Sequence, residues 1–442
     1  MLIEIRIQFL LLTLCGSIFA ESLRELPKGI LELHSPMVVD GFNITLRGHK
    51  DGTTIHLAAD FQGKAAILVK GKKIRLEHFT IEGNRQFFNR RSGLPPSDKT
   101  FAEFHDRNGI LADTVEELEI IHVTLQRIPA MAVIVRGGNR ILLHHLHVEN
   151  SGGLNDKNRN NATGGILIED GASNFTVESC SFLRIRGNAL WTHSRYKSPR
   201  NRDGVFRNNQ FQEIGRDAIQ IGHATRVKVD QNSGKSIGYP TEIVDAEGGG
   251  TPVAVDTAGN VDLSAYTGNR FEEINGKCID LDGFHHGEVS RNRCFNSKPG
   301  SAYPYGHFGI VMNNTNPDMQ SAAIRIVGNE IEGMKFGAMF IIGTGHTIVG
   351  NVMRRINTAH CTESGAACTY FDGEPDLLRS GIYFGRHAER PATTRDNKIE
   401  DNTISGWKMQ ERCFGFAPGV SRTDQKMTGN RCISEEAQWI KK

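Results

Sequence analysis

The chain has 442 residues and near-balanced charge, 52 Lys and Arg against 50 Asp and Glu. A net charge of +2 offers no electrostatic footprint for nucleic acid as a partner. Gly accounts for 48 residues, well above the usual ~7%, which describes a chain that turns often rather than one built of long helices.

Residues 1–20, MLIEIRIQFLLLTLCGSIFA, carry one early Arg, an apolar core from Ile7 to Leu14 and small residues toward Ala20. That pattern predicts a secretory signal peptide cleaved after Ala20, and hence a secreted or periplasmic protein. The apolar run is short of the ~20 residues that span a bilayer, and no later segment is apolar enough to do so. Of eight cysteines, Cys15 falls in this segment and seven remain, so at least one thiol is unpaired. Cys361 and Cys368 share one polar loop and are the expected disulfide.

The remainder, residues 21–442, reads as one repetitive domain. "NQFQEIGRDAIQIGH" (Asn209 to His223) aligns without a gap on "NRFEEINGKCIDLDG" (Asn269 to Gly283). "NEIEGMKFGAMFIIG" (Asn329 to Gly343) follows the same scheme. In this register twelve short strands begin at Ala66, Gly109, Ala132, Gly165, Ala189, Ala218, Pro252, Cys278, Gly309, Ala338, Gly381 and Cys413. The second residue of each strand is apolar throughout, and apolar positions alternate, the period of a strand with one face on a core. Units this short cannot bury a core alone and must stack. The expected fold is all-β, a parallel β-helix of about twelve coils. The Asn that recurs at the bend (Asn269, Asn329, Asn351, Asn402, Asn430) suggests an amide ladder running up the stack.

On this repeat pattern the mature chain resembles the right-handed parallel β-helix, pectin-lyase-like superfamily. The resemblance implies a polysaccharide as partner, with hydrolase, lyase or C5-epimerase activity, or else a non-catalytic surface role. The Asn-Thr-Asp, Gly-His-Gly and Asp-Pro-His-Asp signatures of its polygalacturonases and epimerases are absent, so no catalytic residue carries over by motif.

The third and fifth positions of each strand are expected to form two outward columns. In the central strand they are Asp280 and Asp282, ~6.6–6.8 Å apart along the chain. The register places Asp256 in the fifth column, stacked on Asp282 at ~4.8 Å. Carboxylates this close raise at least one pKa, which keeps an acid protonated near neutral pH. Asp256, Asp280 and Asp282 are therefore the candidate catalytic carboxylates, with His285 in the following turn as a candidate acid or base. Candidate substrate-binding residues are Trp191, His193, Asn313, Tyr303, Tyr305 and His307, with Arg195, Arg216 and Lys277 to meet an anionic sugar. No cofactor is expected. A divalent cation such as calcium is the alternative, and a neighbouring His argues against it. Hydrolysis of a glycosidic bond is the leading expectation. Uronate elimination or epimerisation, and carbohydrate binding without catalysis, are the alternatives.

Overall fold

The computed structural model describes residues 21–88, 93–246, 250–315, 319–361, 368, 374 and 376–435. The expected leader lies outside them. Its regular structure is almost entirely strand, and the strands pair in parallel with the strands one coil earlier and one coil later. One sheet wraps two faces of the helix, because strands such as Ile219–Asp230 and Lys277–His285 run around a corner from one face to the next. A second sheet of fourteen strands closes the third side.

The alternation seen in the sequence becomes the core. Ile67, Ile110, Val133, Ile166, Leu190 and Ile219 pair in series, as do Ile279, Ile310, Met339, Ile382 and Phe414. All but Phe414 are fully buried, and each such side chain stabilises the fold by roughly 1.5–3 kcal/mol. Met37 pairs with Ile67, so the stack begins one rung before the predicted first strand.

One rung departs from the expected register. Ile219 pairs with Val255, not Val253, and Val255 pairs with Ile279. The strand Val253–Asp262 is thus displaced by two residues from its predicted alignment. An even slip leaves inside and outside unchanged, so alternation alone does not detect it.

The Asn ladder is present and longer than predicted. Asn209, Asn232, Asn269, Asn292, Asn329, Asn351 and Asn402 each donate from Nδ2 to Oδ1 of the next, at 2.8–3.0 Å, and the run ends on Asn430. Cys180 fills the slot before Asn209, its N–H donating to Asn209 Oδ1. Among the described residues it is the unpaired cysteine, and it is fully buried. Cys361–Cys368 is bonded as expected. Two further bonds join Cys278 to Cys294 and Cys413 to Cys432.

Candidate active site

The two-residue slip relocates Asp256. It enters the third column, opposite Gln220 on one side, while Ala258 takes the place beside Asp282. The expected Asp256–Asp282 stack does not form. With Val255 on Ile279, Asp256 lies instead on the rung beside Asp280. The column therefore runs Trp191, Gln220, Asp256, Asp280, Val311, Phe340.

Both aspartates are nearly buried, Asp256 at 8% and Asp280 at 6% exposure. Asn188 Nδ2 donates to Gln220 Oε1, and Gln220 Nε2 donates to Asp256 Oδ2 at 2.6 Å. Burial, with Asp217 and Asp280 close by, pushes the Asp256 carboxyl well above the usual carboxylate range. Asp217, which accepts the Val253 N–H and lies 3.6 Å from Arg216 Nε, is also raised by burial. Asp280 is held differently. Lys277 Nζ donates to its Oδ2 at 2.5 Å, while its Oδ1 is buried without a partner. Beside this pair opens a cleft of about 550 Å³, lined by Lys277, His307, Val311, Asn313, Phe340 and Glu389 among others.

The predicted residues separate into those the fold gathers and those it removes. Lys277 pairs with Asp280, and Arg216 stands beside Asp217, an acid that acts on Asp256. His307 lines the cleft, and burial with Lys277 and Lys335 nearby lowers it to about 3, so the ring is neutral. Asn313 donates to Glu389 Oε1. Asp282 leaves the pair: its Oδ1 and Oδ2 accept the N–H and hydroxyl of Thr315, which ties down the loop behind the strand. Burial raises it to about 6. His285 leaves the site altogether. Gly283, at φ 77°, turns the chain at a point where a Cβ would lie 2.5 Å from Gly259 O. His285 thus pairs with Asp262 on the next face and contacts Asn260.

Other predicted binding residues serve the covering loops. The outer column from Leu111 to Trp191 forms a second apolar cluster under Phe101 and Ala102. Trp191 is 3% exposed and meets Phe101 edge-on at 4.8 Å, so it is no platform for a sugar. His193 packs against the same Phe101, lowered to about 4 by burial. Glu169 accepts the N–H groups of Phe101 and Ala102 and is raised by burial to about 7. Tyr303 is fully buried and donates its hydroxyl to Glu273, which removes it as a platform too. The Tyr305 N–H donates to Asn275 Oδ1. Arg195, expected to meet an anionic sugar, pairs instead with Asp170 at 3.0 Å.

Sequence reasoning missed Asp217, Gln220, Thr315 and Glu389. The first two carried a signal, since the repeat alignment sets Asp217 under Lys277 and Gln220 under Asp280. Thr315 and Glu389 lie in loops outside any column. Among the described residues, no group of three or more His, Cys, Asp or Glu is arranged to hold a metal ion. No helix there is long and apolar enough to cross a membrane.

No curated protein matches the chain in sequence. The family model for the right handed beta helix region matches residues 65–262. A tailspike protein of E. coli bacteriophage HK620 is similar in fold, with a TM-score of 0.53 and 11% identity over 92% of this chain and 72% of that one. A DFA-IIIase from Arthrobacter chlorophenolicus A6 gives a TM-score of 0.48 and 13% identity, covering 91% of this chain and 87% of its own. ORF18 of Geobacillus virus E2 gives 0.46 and 13%, and its match covers 71% of this chain and 55% of its own length. The chain is a right-handed parallel β-helix with the pectin-lyase-like fold.

Proposed function

We propose that the protein is an exported carbohydrate-processing enzyme that cleaves a glycosidic bond, with Asp256 as proton donor and Asp280 as the second carboxylate. The observation behind this is the contrast within one column. Asp256 is raised by burial and accepts a hydrogen bond from Gln220, whereas Asp280 on the next rung is ion-paired with Lys277. A carboxyl kept protonated by burial, next to one paired with a cation, suits the roles of acid and partner.

In this reading Asp256 passes its proton to the leaving glycosidic oxygen. Asp280 attacks the anomeric carbon, and water activated by Asp256 then releases the sugar from the ester. Adjacent rungs stand ~4.8 Å apart, nearer the ~5–5.5 Å carboxyl separation of retaining enzymes than the ~6.5–9.5 Å of inverting ones. Val311 and Phe340 would supply the apolar wall of the subsite. A second reading, elimination at a uronate, draws on the neutral His307 beside Lys277.

The test is turnover of a panel of plant, algal and microbial polysaccharides. New reducing ends, first appearing with the substrate's anomeric configuration by NMR, are expected. Asp256→Asn and Asp280→Asn are each expected to lower kcat by ~10³-fold or more with melting temperature held. Ultraviolet absorbance from an unsaturated uronate would replace this mechanism with elimination. Full activity in either variant would remove the aspartate pair from the chemistry. N-terminal sequencing of exported protein, expected to begin at Glu21, checks the leader.

A further inference from the structure

A second groove lies at the bend before the strands that carry the aspartates. It encloses about 460 Å³ and is lined by Arg85, Arg184, Arg186, Asn150, Ser236 and Tyr239, with Glu213 at its edge. The ladder explains why it is there. Hydrogen bonds place Gly152, Arg186, Gly215 and Gly238 in one column, as the Gly152, Arg186, Gly215 and Gly238 N–H groups bond to Ile128, Ser151, Ile185 and Ile214 carbonyls. Arg186 is thus the one side chain in a run of glycines. The gap is enforced: a Cβ at Gly215 would lie 2.3 Å from Arg186 O, and one at Gly238 2.7 Å from Asn275 O.

Three arginines and one carboxylate, Glu213, line the groove. Arg85 is half-buried, and among the described residues no carboxylate comes within ion-pairing distance of it. Glu82, an acid that acts on it electrostatically, is already engaged by both Nε and Nη2 of Arg127. Burial, with Arg186 and Arg127 adding like charge against the opposing effect of Glu82, holds the Arg85 guanidinium at about 10. Arg186 is lowered by burial too. A desolvated cation such as Arg85 costs free energy until a counter-charge joins it. Arginine forks are suited to bidentate contact with carboxylate, sulfate or phosphate oxygens. Asn150 and Ser236 add neutral polar groups to the same wall, and Ile185 and Ile243 an apolar floor suited to the carbon skeleton of a ligand.

We propose that this groove is a second binding site, separate from the cleft, in which Arg85 and Arg186 grip an oxyanion substituent of a glycan. The reading above supplies only the sugar backbone of that ligand; the grip on the anion does not involve Asp256 or Asp280.

Isothermal titration of the full chain carrying Asp256→Asn, which prevents turnover, tests it with polygalacturonate, dextran sulfate, neutral dextran and inorganic sulfate. The anionic glycans are expected to bind, neutral dextran not, with affinity falling as salt rises. Arg85→Ala and Arg186→Ala should each weaken binding about tenfold or more, and Arg202→Ala, beyond the groove, should not. Arg184→Ala at the exposed rim provides a weaker effect should either inner variant fail to fold. Equal binding of neutral dextran, binding unchanged by every groove variant, or binding of inorganic sulfate alone would each overturn the proposal. Turnover without arginine-dependent binding defeats this site and leaves the cleft reading intact. Arginine-dependent binding without turnover of any glycan does the reverse.

Discussion

Asp282 shows how one residue's surroundings decide its role. It is two residues from Asp280, yet its oxygens are taken up by Thr315 while burial raises it to about 6. The folded protein therefore holds this proton more tightly than the unfolded chain, whose carboxyl has the ordinary value of 3.8. Stability is full below about pH 4 and falls as the pH rises toward and past 6, by up to roughly 3 kcal/mol from this group. Asp282→Asn should flatten that part of the urea-denaturation profile while leaving turnover largely in place. A second measurement at this scale concerns the amide ladder. Asn292 makes side-chain bonds to Asn269, Asn329 and the Tyr266 carbonyl. Asn292→Ala strands buried partners and should cost about 3 kcal/mol or more, while Asn430→Ala, half-buried at the end of the ladder, should cost less than half as much.

At the scale of a strand, the Cys278–Cys294 bond joins the central strand to the third-side strand of its own coil, sixteen residues on. Closing a loop of that size removes about 3 kcal/mol of unfolded-state freedom. Cys278→Ser with Cys294→Ser should lower stability by that order in denaturant titration. Loss of the aspartates' alignment would show as a parallel fall in kcat. The strand Val253–Asp262 marks the limit of what the sequence made legible. Both Val253 and Val255 are apolar, so two registers satisfied the alternation equally. Only the small residue at the strand start discriminated, since Ala254 matches Ala218 and Cys278 better than Pro252 does. The columns elsewhere were readable because strand periodicity is set by backbone geometry. Burial of Trp191 and Tyr303 was not, because loop cover depends on contacts with residues such as Phe101 and Glu273 that no local pattern encodes.

For the whole molecule, each coil contacts mainly its two neighbours, so stability is distributed along the axis rather than gathered at one centre. The two ends differ from the middle. Ser22–Glu25 is exposed along its length, whereas Ile166–Glu169 is buried throughout. Amide exchange should accordingly be fastest in the first coil and slowest in the rungs around the aspartates. A flat exchange profile along the chain would contradict this picture. It also gives the cleft a rigid base, since its floor is sheet and only its rim is loop.

The Asn ladder has one more property. Each amide gives its hydrogen toward the C-terminal neighbour and receives one from the other side, from Asn209 through Asn430 without reversal. The side-chain dipoles are therefore aligned head to tail, a polarised wire down the inside of the bend, in which every link strengthens the next. Damage to it should not be additive. Alanine at two adjacent positions, such as Asn292 and Asn329, should cost less than the sum of the single losses, because the second break falls in a segment already depolarised. Two breaks far apart, at Asn232 and Asn402, should simply add.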